Sequence, residues 1–558
     1  MNKTIQYNND EISPEKLRLV VFASSLGTMF EWYDFFIFGL LTQILADHFF
    51  AGINPTASFI FGLLAFGAGF MFRPLGALVF GAIGDKEGRK GAFLITVSLM
   101  GMSTFLVSVL PSYSTIGIWA PILLMALRII QGFALGGEYG GAVIYVAEHS
   151  PHDKRGFNTS LVQSSAVAGL LTALLVVYST RTILGEAAFH EWAWRIPFAV
   201  SLFLLAIAIY IRMQLEESPS FKRMQDEDNH AKAPLKEVFG NKKYLGLMLV
   251  ALFGLMIAQG VTWFTSHFYS QVFLGKQLKI PEATINFMLM IISFVSGFLY
   301  VFFGWLSDKI GRKPVMLFGI TLALISFYPG FNGFVKFGNP DFATAIKNAP
   351  IKVIADQKEC SIQFNPIGKT PDGRDAFATS CDVAKSYLAG KGIPYQNISA
   401  TKGTVAKVII GDTTINSIDI SKLDLKAQKT TKEAFGKEMA AALAKANYPE
   451  KANPKKINFY GILGILFVFI IAATALYGPL AASLVELFPM RIRYTALSIP
   501  YNIGTGIFGG FVPAIGFAIV ATTGNMFSGL YYPMIVAVIS IIVTLIFLPE
   551  TKDRDIHI

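Results

Sequence analysis

Five ionisable side chains fall inside apolar runs where hydrocarbon would surround them: Glu31 and Asp34 in the first run, Arg73 in the second, Arg128 and Glu138 in the fourth. A charge at that depth costs about 2.5 to 3.5 kcal/mol on insertion scales, so each needs a partner or a task. Glu31 and Asp34 stand three residues apart and share a helix face. Arg128, Gln131, Leu135 and Glu138, at spacings of three, four and three, line up along one stripe. A desolvated carboxylate can bind and release a proton near neutral pH, while a guanidinium stays charged and suits a carboxylate-bearing ligand. This predicts a proton and ligand site within the amino-terminal half, built round an aqueous cavity. The same residues also fit a static ion-pair network that locks helices one, two and four.

The seventh run supplies a polar and aromatic wall, with Gln259, Thr262, Trp263, Thr265, Ser266, His267, Tyr269 and Ser270 near its outer end. His267 has the chemistry of a proton shuttle, and equally that of a solvated or structural histidine. Asn286, Ser293, Tyr501 and Asn502 are weaker cavity candidates that fit interhelical hydrogen bonds as well. Gly132, Gly136, Gly137, Gly140 and Gly141 read as close helix packing, because no strand precedes them as a nucleotide fold requires. Metal-ligand and nucleophile spacings do not rise above chance. No cofactor is expected beyond the proton itself.

The elements that must hold these groups follow from hydropathy. Apolar residues make up 53% and charged residues only 15% of the 558, and the charges leave many stretches of about 20 residues nearly bare, the length of a membrane helix. Twelve runs emerge, near 19–41, 57–83, 91–110, 120–147, 159–180, 193–214, 245–271, 283–306, 314–335, 457–485, 494–521 and 527–548. The first is too long and too acidic for a cleaved signal. The net charge of +10 resides in loops rather than in a basic stripe with aromatics, so nucleic acid is not an expected partner. Lys and Arg fall almost wholly on one set of loops. That bias predicts cytoplasmic termini and places the hydrophilic stretch 337–456 outside.

Two motifs recur. Gly81, Gly84, Asp85, Gly88, Arg89 and Lys90 between runs two and three return as Gly304, Ser307, Asp308, Gly311, Arg312 and Lys313 between runs eight and nine; Glu148 and Arg155 return as Glu486 and Arg493. Arg89 and Arg312 stand 223 residues apart, Arg155 and Arg493 stand 338 apart, so the second half carries about 115 extra residues. The chain thus divides into an N-terminal six-helix bundle (1–214), a linker (215–243), helices seven to nine (244–336), an insertion (337–456) and helices ten to twelve with a short tail (457–558). The repeated charges suit a gate latch, with Asp85 accepting from Arg89 and the Arg155 region and Glu148 opposite. In a single copy they would read as ordinary membrane-surface anchors.

The insertion reads as a small α+β domain, with strands at 405–410 and 415–420 and a helix at 431–446. It holds the only cysteines, Cys360 and Cys381. In an oxidising compartment they are expected to pair, free thiols being the alternative.

The duplicated loop resembles the signature of the major facilitator superfamily. Glu31-Trp32-Tyr33-Asp34, Arg73-Pro74-Leu75-Gly76, the run from Arg128 to Glu138, Trp194-Arg195-Ile196-Pro197-Phe198, Glu217-Ser218-Pro219, Glu486-Leu487-Phe488-Pro489 and Gly509-Gly510-Phe511-Val512-Pro513 are similar to the metabolite:proton symporter family. The resemblance spans all twelve runs and stops at the insertion. It implies an all-α membrane protein of two pseudo-symmetric six-helix bundles, working as a single chain in a bacterial inner membrane. It also implies proton-coupled uptake of an organic acid or a proline- or betaine-like solute by alternating access. A sugar-type porter is the alternative that Glu217-Ser218-Pro219 would also suit.

Overall fold

The computed structural model describes residues 14–50, 55–214, 233–361 and 377–556. Within these, ten helices are long and apolar enough to cross a membrane. The helices Pro14–Leu40 and Pro55–Glu87 complete twelve in chain order. They are numbered here as spans: 1 and 2 as just given, then Lys90–Val109, Trp119–His149, His152–Leu184, Arg195–Met213, Lys242–Gln277, Glu282–Ile310, Arg312–Gly338, Phe459–Leu487, Met490–Thr523 and Ser528–Phe547. Residues 215–232, with Glu217-Ser218-Pro219, lie outside the described residues, as do 362–376 of the insertion.

Each half packs mainly on itself: span 4 against spans 2 and 3, span 1 against span 5, span 10 against spans 8 and 9. The halves meet along two seams, span 5 on span 8 and span 2 on span 11. Small residues set the closeness of both. A Cβ on Gly156 would lie 2.6 Å from the Gly304 carbonyl oxygen, and one on Gly81 would lie 2.9 Å from the Thr495 Cα. The glycines of span 4 do the same within the first half, where Gly132 abuts Gly69 and Gly136 abuts Arg73 of span 2.

The sequence places the Gly-Asp-Gly-Arg-Lys motifs in loops, but both are almost wholly helical. Asp85 belongs to the last turn of span 2 and Asp308 to the last turn of span 8. One glycine makes each reversal, Gly88 with φ 115° and Gly311 with φ 106°, a region costly for other residues. Spans 7 and 11 carry wide-turn π segments, Thr265–Tyr269 and Ile503–Gly509 among them, of the kind often found at functional sites.

The insertion joins spans 9 and 10 at the end of the bundle opposite the motifs; these ends are termed the insert end and the motif end. It carries a four-stranded sheet of order β2-β1-β3-β4, where β1 is Ile351–Ala355, β2 Gln396–Ser399, β3 Lys407–Ile410 and β4 Thr413–Asn416. The expected strand at 415–420 is shifted towards the N-terminus, because Gly411, with φ 56°, turns the chain straight into β4. The helix Leu425–Lys445 begins earlier than expected, at an Asp424 cap whose carboxylate accepts from the Ala427 N–H at 2.7 Å. Cys360 and Cys381 form a disulfide with a Cα–Cα distance of 5.3 Å.

Hydrogen bonds tie the insertion to the second half. The Tyr395 N–H donates to the Gly524 carbonyl at 2.9 Å and its hydroxyl to the Ala521 carbonyl; the Ala452 N–H donates to the Lys279 carbonyl at 3.0 Å. Burial raises the Tyr395 phenol above its ordinary value and keeps it a donor.

Candidate functional site

At the motif end the two halves exchange partners. Spans 5 and 11 begin there, and the first N–H groups of a helix lack acceptors within it and carry its positive pole. Asp308 of the second half supplies acceptors to span 5, taking the Gly156 N–H at 2.8 Å and the Phe157 N–H at 2.7 Å. Asp85 of the first half does the same for span 11, taking the Tyr494 N–H at 3.0 Å and the Thr495 N–H at 2.8 Å.

The arginine–glutamate pairs also cross. Arg155 binds Glu486 at 2.8 Å, and Arg493 binds Glu148 at 2.8 Å. Thus Glu148 faces Arg493 and Arg155 faces Glu486, where the sequence reading set both beside Asp85. Arg312 bridges Asp308 at 2.6 Å and Glu486 at 3.1 Å. The side chain of its counterpart Arg89 lies outside the described residues. All of these pairs are buried, where removing one partner strands a charge and costs about 3 to 5 kcal/mol.

The second of these clusters has an extra clamp. Glu550, just past span 12, accepts from the Arg312 N–H at 2.9 Å and the Lys313 N–H at 3.0 Å. Partial burial favours its neutral form, but backbone donors from Lys552, Arg312, Lys313 and Thr551 outweigh that and hold the carboxyl below its ordinary value.

In the middle of the first half, Glu31, Asp34, Arg73, Arg128, Glu138 and Arg212 are each between 1% and 6% exposed. They are linked: Thr104 joins the Arg128–Gln131 pair to Asp34, and Asp34 lies within electrostatic reach of Glu31 and Glu138. Arg128 donates to Gln131 at 2.5 Å, Gln131 donates to Thr104 at 2.7 Å, and the Arg128 guanidinium lies 4.0 Å from the Phe38 ring centroid. Asp34 accepts from Ser201 of span 6 at 2.5 Å. Glu31 and Glu138 lie within electrostatic reach of each other, Glu31 of two cations, Arg73 and Arg212, and Glu138 of Arg212.

Of these groups Arg73 faces the other half: its Nε donates to the Asn502 Oδ1 of span 11 at 3.0 Å, and the guanidinium lies 5.9 Å from the Tyr501 ring centroid. Around it the halves meet through aromatic rings. Tyr139 stacks on Tyr501 at 3.7 Å while accepting from Gln163, and Tyr501 exchanges a hydroxyl hydrogen bond with Tyr477 at 2.9 Å. Trp263 donates to the Tyr300 hydroxyl at 3.1 Å and lies 6.1 Å from Trp32 across the seam.

Gln259 is buried in span 7 with its Oε1 lacking a hydrogen-bond partner, and so can turn to a ligand. His267 stacks on Trp263 at 4.6 Å, and its Nδ1 donates to the Trp263 carbonyl at 3.0 Å, leaving Nε2 as the remaining ring nitrogen. Sequence reasoning passed over Ser201, Tyr139, Gln163 and above all Arg212, which it counted among the loop cations. The available signal was that Arg212 lies inside the apolar run Ile209-Tyr210-Ile211-Arg212-Met213. Among the described residues no cluster of His, Cys, Asp and Glu suits a metal ion.

Known proteins resemble this arrangement. The chain matches the sugar (and other) transporter family over residues 19–243 and 438–557 and the major facilitator superfamily over 252–345. It is 40% identical over 331 residues to the proline/betaine transporter of Escherichia coli K12, spanning 57% of this chain and 65% of that one. It is 38% identical over 328 residues to the glycine betaine/proline/ectoine/pipecolic acid transporter OusA of Dickeya dadantii, with the same coverage. The shikimate transporter of Escherichia coli K12 is 33% identical over 321 residues, 57% of this chain and 73% of its own. The chain therefore spans about two thirds of the length of such relatives. The proton:xylose symporter XylE bound to 6-bromo-6-deoxy-D-glucose shares the fold, with a TM-score of 0.59 at 16% identity over 97% of this chain and 98% of that one.

Proposed function

We start from the premise that the chain belongs to the sugar (and other) transporter family within the major facilitator superfamily, and propose that it imports a small carboxylate-bearing solute together with protons by alternating access. One observation carries the reading: Arg73, a buried guanidinium within reach of Glu31, reaches across the seam to a neutral amide, Asn502. A ligand carboxylate would replace that amide with a charged and potentially bidentate partner. Glu31, relieved of its cation, would then take the proton. The relatives whose names include proline, betaine and shikimate support carboxylates as the substrate class.

In this reading the matched charge clusters at the motif end are the inner gate, closed in this state, and both termini lie in the cytoplasm of a bacterium. The insertion lies outside its inner membrane. Each 100 mV of membrane potential contributes about 2.3 kcal/mol per proton, enough for roughly fifty-fold accumulation.

Uptake of labelled proline, glycine betaine, shikimate and xylose into proteoliposomes, with and without an inward pH gradient, tests the reading. Gradient-driven accumulation of one or more carboxylates is the expected result. Accumulation of xylose alone, or uptake indifferent to the gradient, would sink it.

A further inference from the structure

Arg212 sits one residue from the motif end of span 6, where an arginine normally extends towards water. Instead it turns inward. Its side chain is 4% exposed, abuts Gly27 of span 1, lies over the Phe93 ring of span 3, and brings Nη2 to 3.8 Å from the Glu138 Oε1. Among the described residues none of its three nitrogens has a hydrogen-bond partner, and neither has the Glu138 Oε2. Two buried hydroxyls on the same stripe of span 1 as Gly27, Ser24 and Thr28, also lack partners. The groups that face Arg212 electrostatically are Glu138 and Tyr145 of span 4, Glu31 of span 1 and Tyr494 of span 11. Asp34 stands further along span 1, bonded to Ser201. Lys90 is close to the backbone here, with its Nζ on the Met213 carbonyl at 3.2 Å.

Glu31 and Glu138 thus share one cation, Arg212, and Glu31 has a second, Arg73, of a different kind. Arg73 faces the seam, where a ligand can claim it; Arg212 is enclosed within the first half, where none can. We infer that Arg212 is a positioning residue for proton coupling, the captive counter-ion of Glu138, so that ligand capture of Arg73 leaves Glu31 alone without a cation. One of two neighbouring carboxylates then takes the proton, and only when substrate is bound. Without Arg212, Glu138 would lose its cation beside a like charge, and carboxylates so placed share a proton even in the empty protein.

This rests on the proton-symport reading, and its test needs no substrate. Infrared difference spectroscopy of the full-length protein in lipid vesicles, across a pH titration, counts protonated carboxyls in the empty state. Arg212→Gln is expected to show one more protonated carboxyl at neutral pH than wild type, and Glu138→Gln/Arg212→Gln to lose it again. A merely structural role would not be rescued by deleting the partner. An Arg212→Gln spectrum identical to wild type, an extra band that persists in the double variant, or a double variant that does not fold would each overturn the inference. If Arg212→Gln alone fails to fold, a folded double variant with the wild-type band count upholds the pairing. The symport reading fails separately, through wild-type uptake indifferent to the pH gradient.

Discussion

The two halves are alike at the motif end and unlike in the middle. Asp85 and Asp308, Glu148 and Glu486, Arg155 and Arg493 occupy equivalent places, each spent on the opposite half. Ten or more residues deeper the resemblance stops. The first half buries five charged groups at mid-span, with Arg212 turned towards them from the end of span 6, whereas the corresponding region of the second presents Gln259, His267, Tyr300, Tyr477, Tyr501 and Asn502. On the proposed function, gating would therefore use both copies of the repeat and proton chemistry only one. The division is physically reasonable. A gate needs matched surfaces on both sides of a moving seam, while each further buried charge carries a desolvation cost without adding a second driving proton.

The sharpest way to break this contrast is to remove one titratable side chain on each side. Glu31→Gln is expected to abolish gradient-driven accumulation, a loss of roughly fifty-fold at 100 mV, while substrate exchange between the two faces continues. His267→Ala is expected to keep accumulation and change apparent affinity by a few fold at most. Radiolabel uptake and counterflow separate the two, and equal damage from both would dissolve the asymmetry.

A second asymmetry is the insertion, present in one half alone. Replacing Cys360 and Cys381 by serine removes a cross-link between residues 21 apart and should destabilise the insertion by about 3 kcal/mol, seen as earlier proteolysis within it. Transport rate is expected to change little. A large fall in rate would mean that the insertion takes part in the cycle.

The gates probe the likeness rather than the difference. Asp85→Asn and Asp308→Asn each weaken one cross-half helix cap; Arg312 keeps its second partner Glu486, and both variants should open the motif end to a similar degree. Alkylation of a cysteine introduced at the seam measures it. Unequal effects would show that the repeat has diverged in energy while keeping its geometry.

Glu550 gives the smallest effect. Its carboxyl is held low in the folded protein, so its contribution is present above the unfolded value and is lost as pH falls through the folded one. Acidification below about pH 4, or Glu550→Gln, should loosen the second gate by less than about 1 kcal/mol, because the group is half exposed.

The twelve spans and their pairing by repeat were legible because hydropathy and motif recurrence are properties of the chain itself. What escaped was of three kinds. Asp85 and Asp308 bind backbone N–H groups, which carry no side-chain signature, so the exchange of partners between halves left no trace in residue types. Arg212 looked like a boundary cation because its place in the chain is that of one; only the direction of its side chain distinguishes it. Strand β2, with every residue exposed, has no apolar alternation to read. The bond from Ser201 to Asp34 and the chain from Arg128 through Gln131 and Thr104 to Asp34 depend on helix rotation, which spacing alone does not determine.

The tethers of the insertion described above, from Tyr395 to the Ala521–Gly524 region and from Ala452 to Lys279, all end on the second half. In a cycle of rocking bundles such an attachment works as a pointer fixed to one arm of a hinge. A dye on the exposed face of the helix Leu425–Lys445, paired with one at Ser114 in the turn between spans 3 and 4, would magnify a few degrees of tilt into a distance change visible in single molecules.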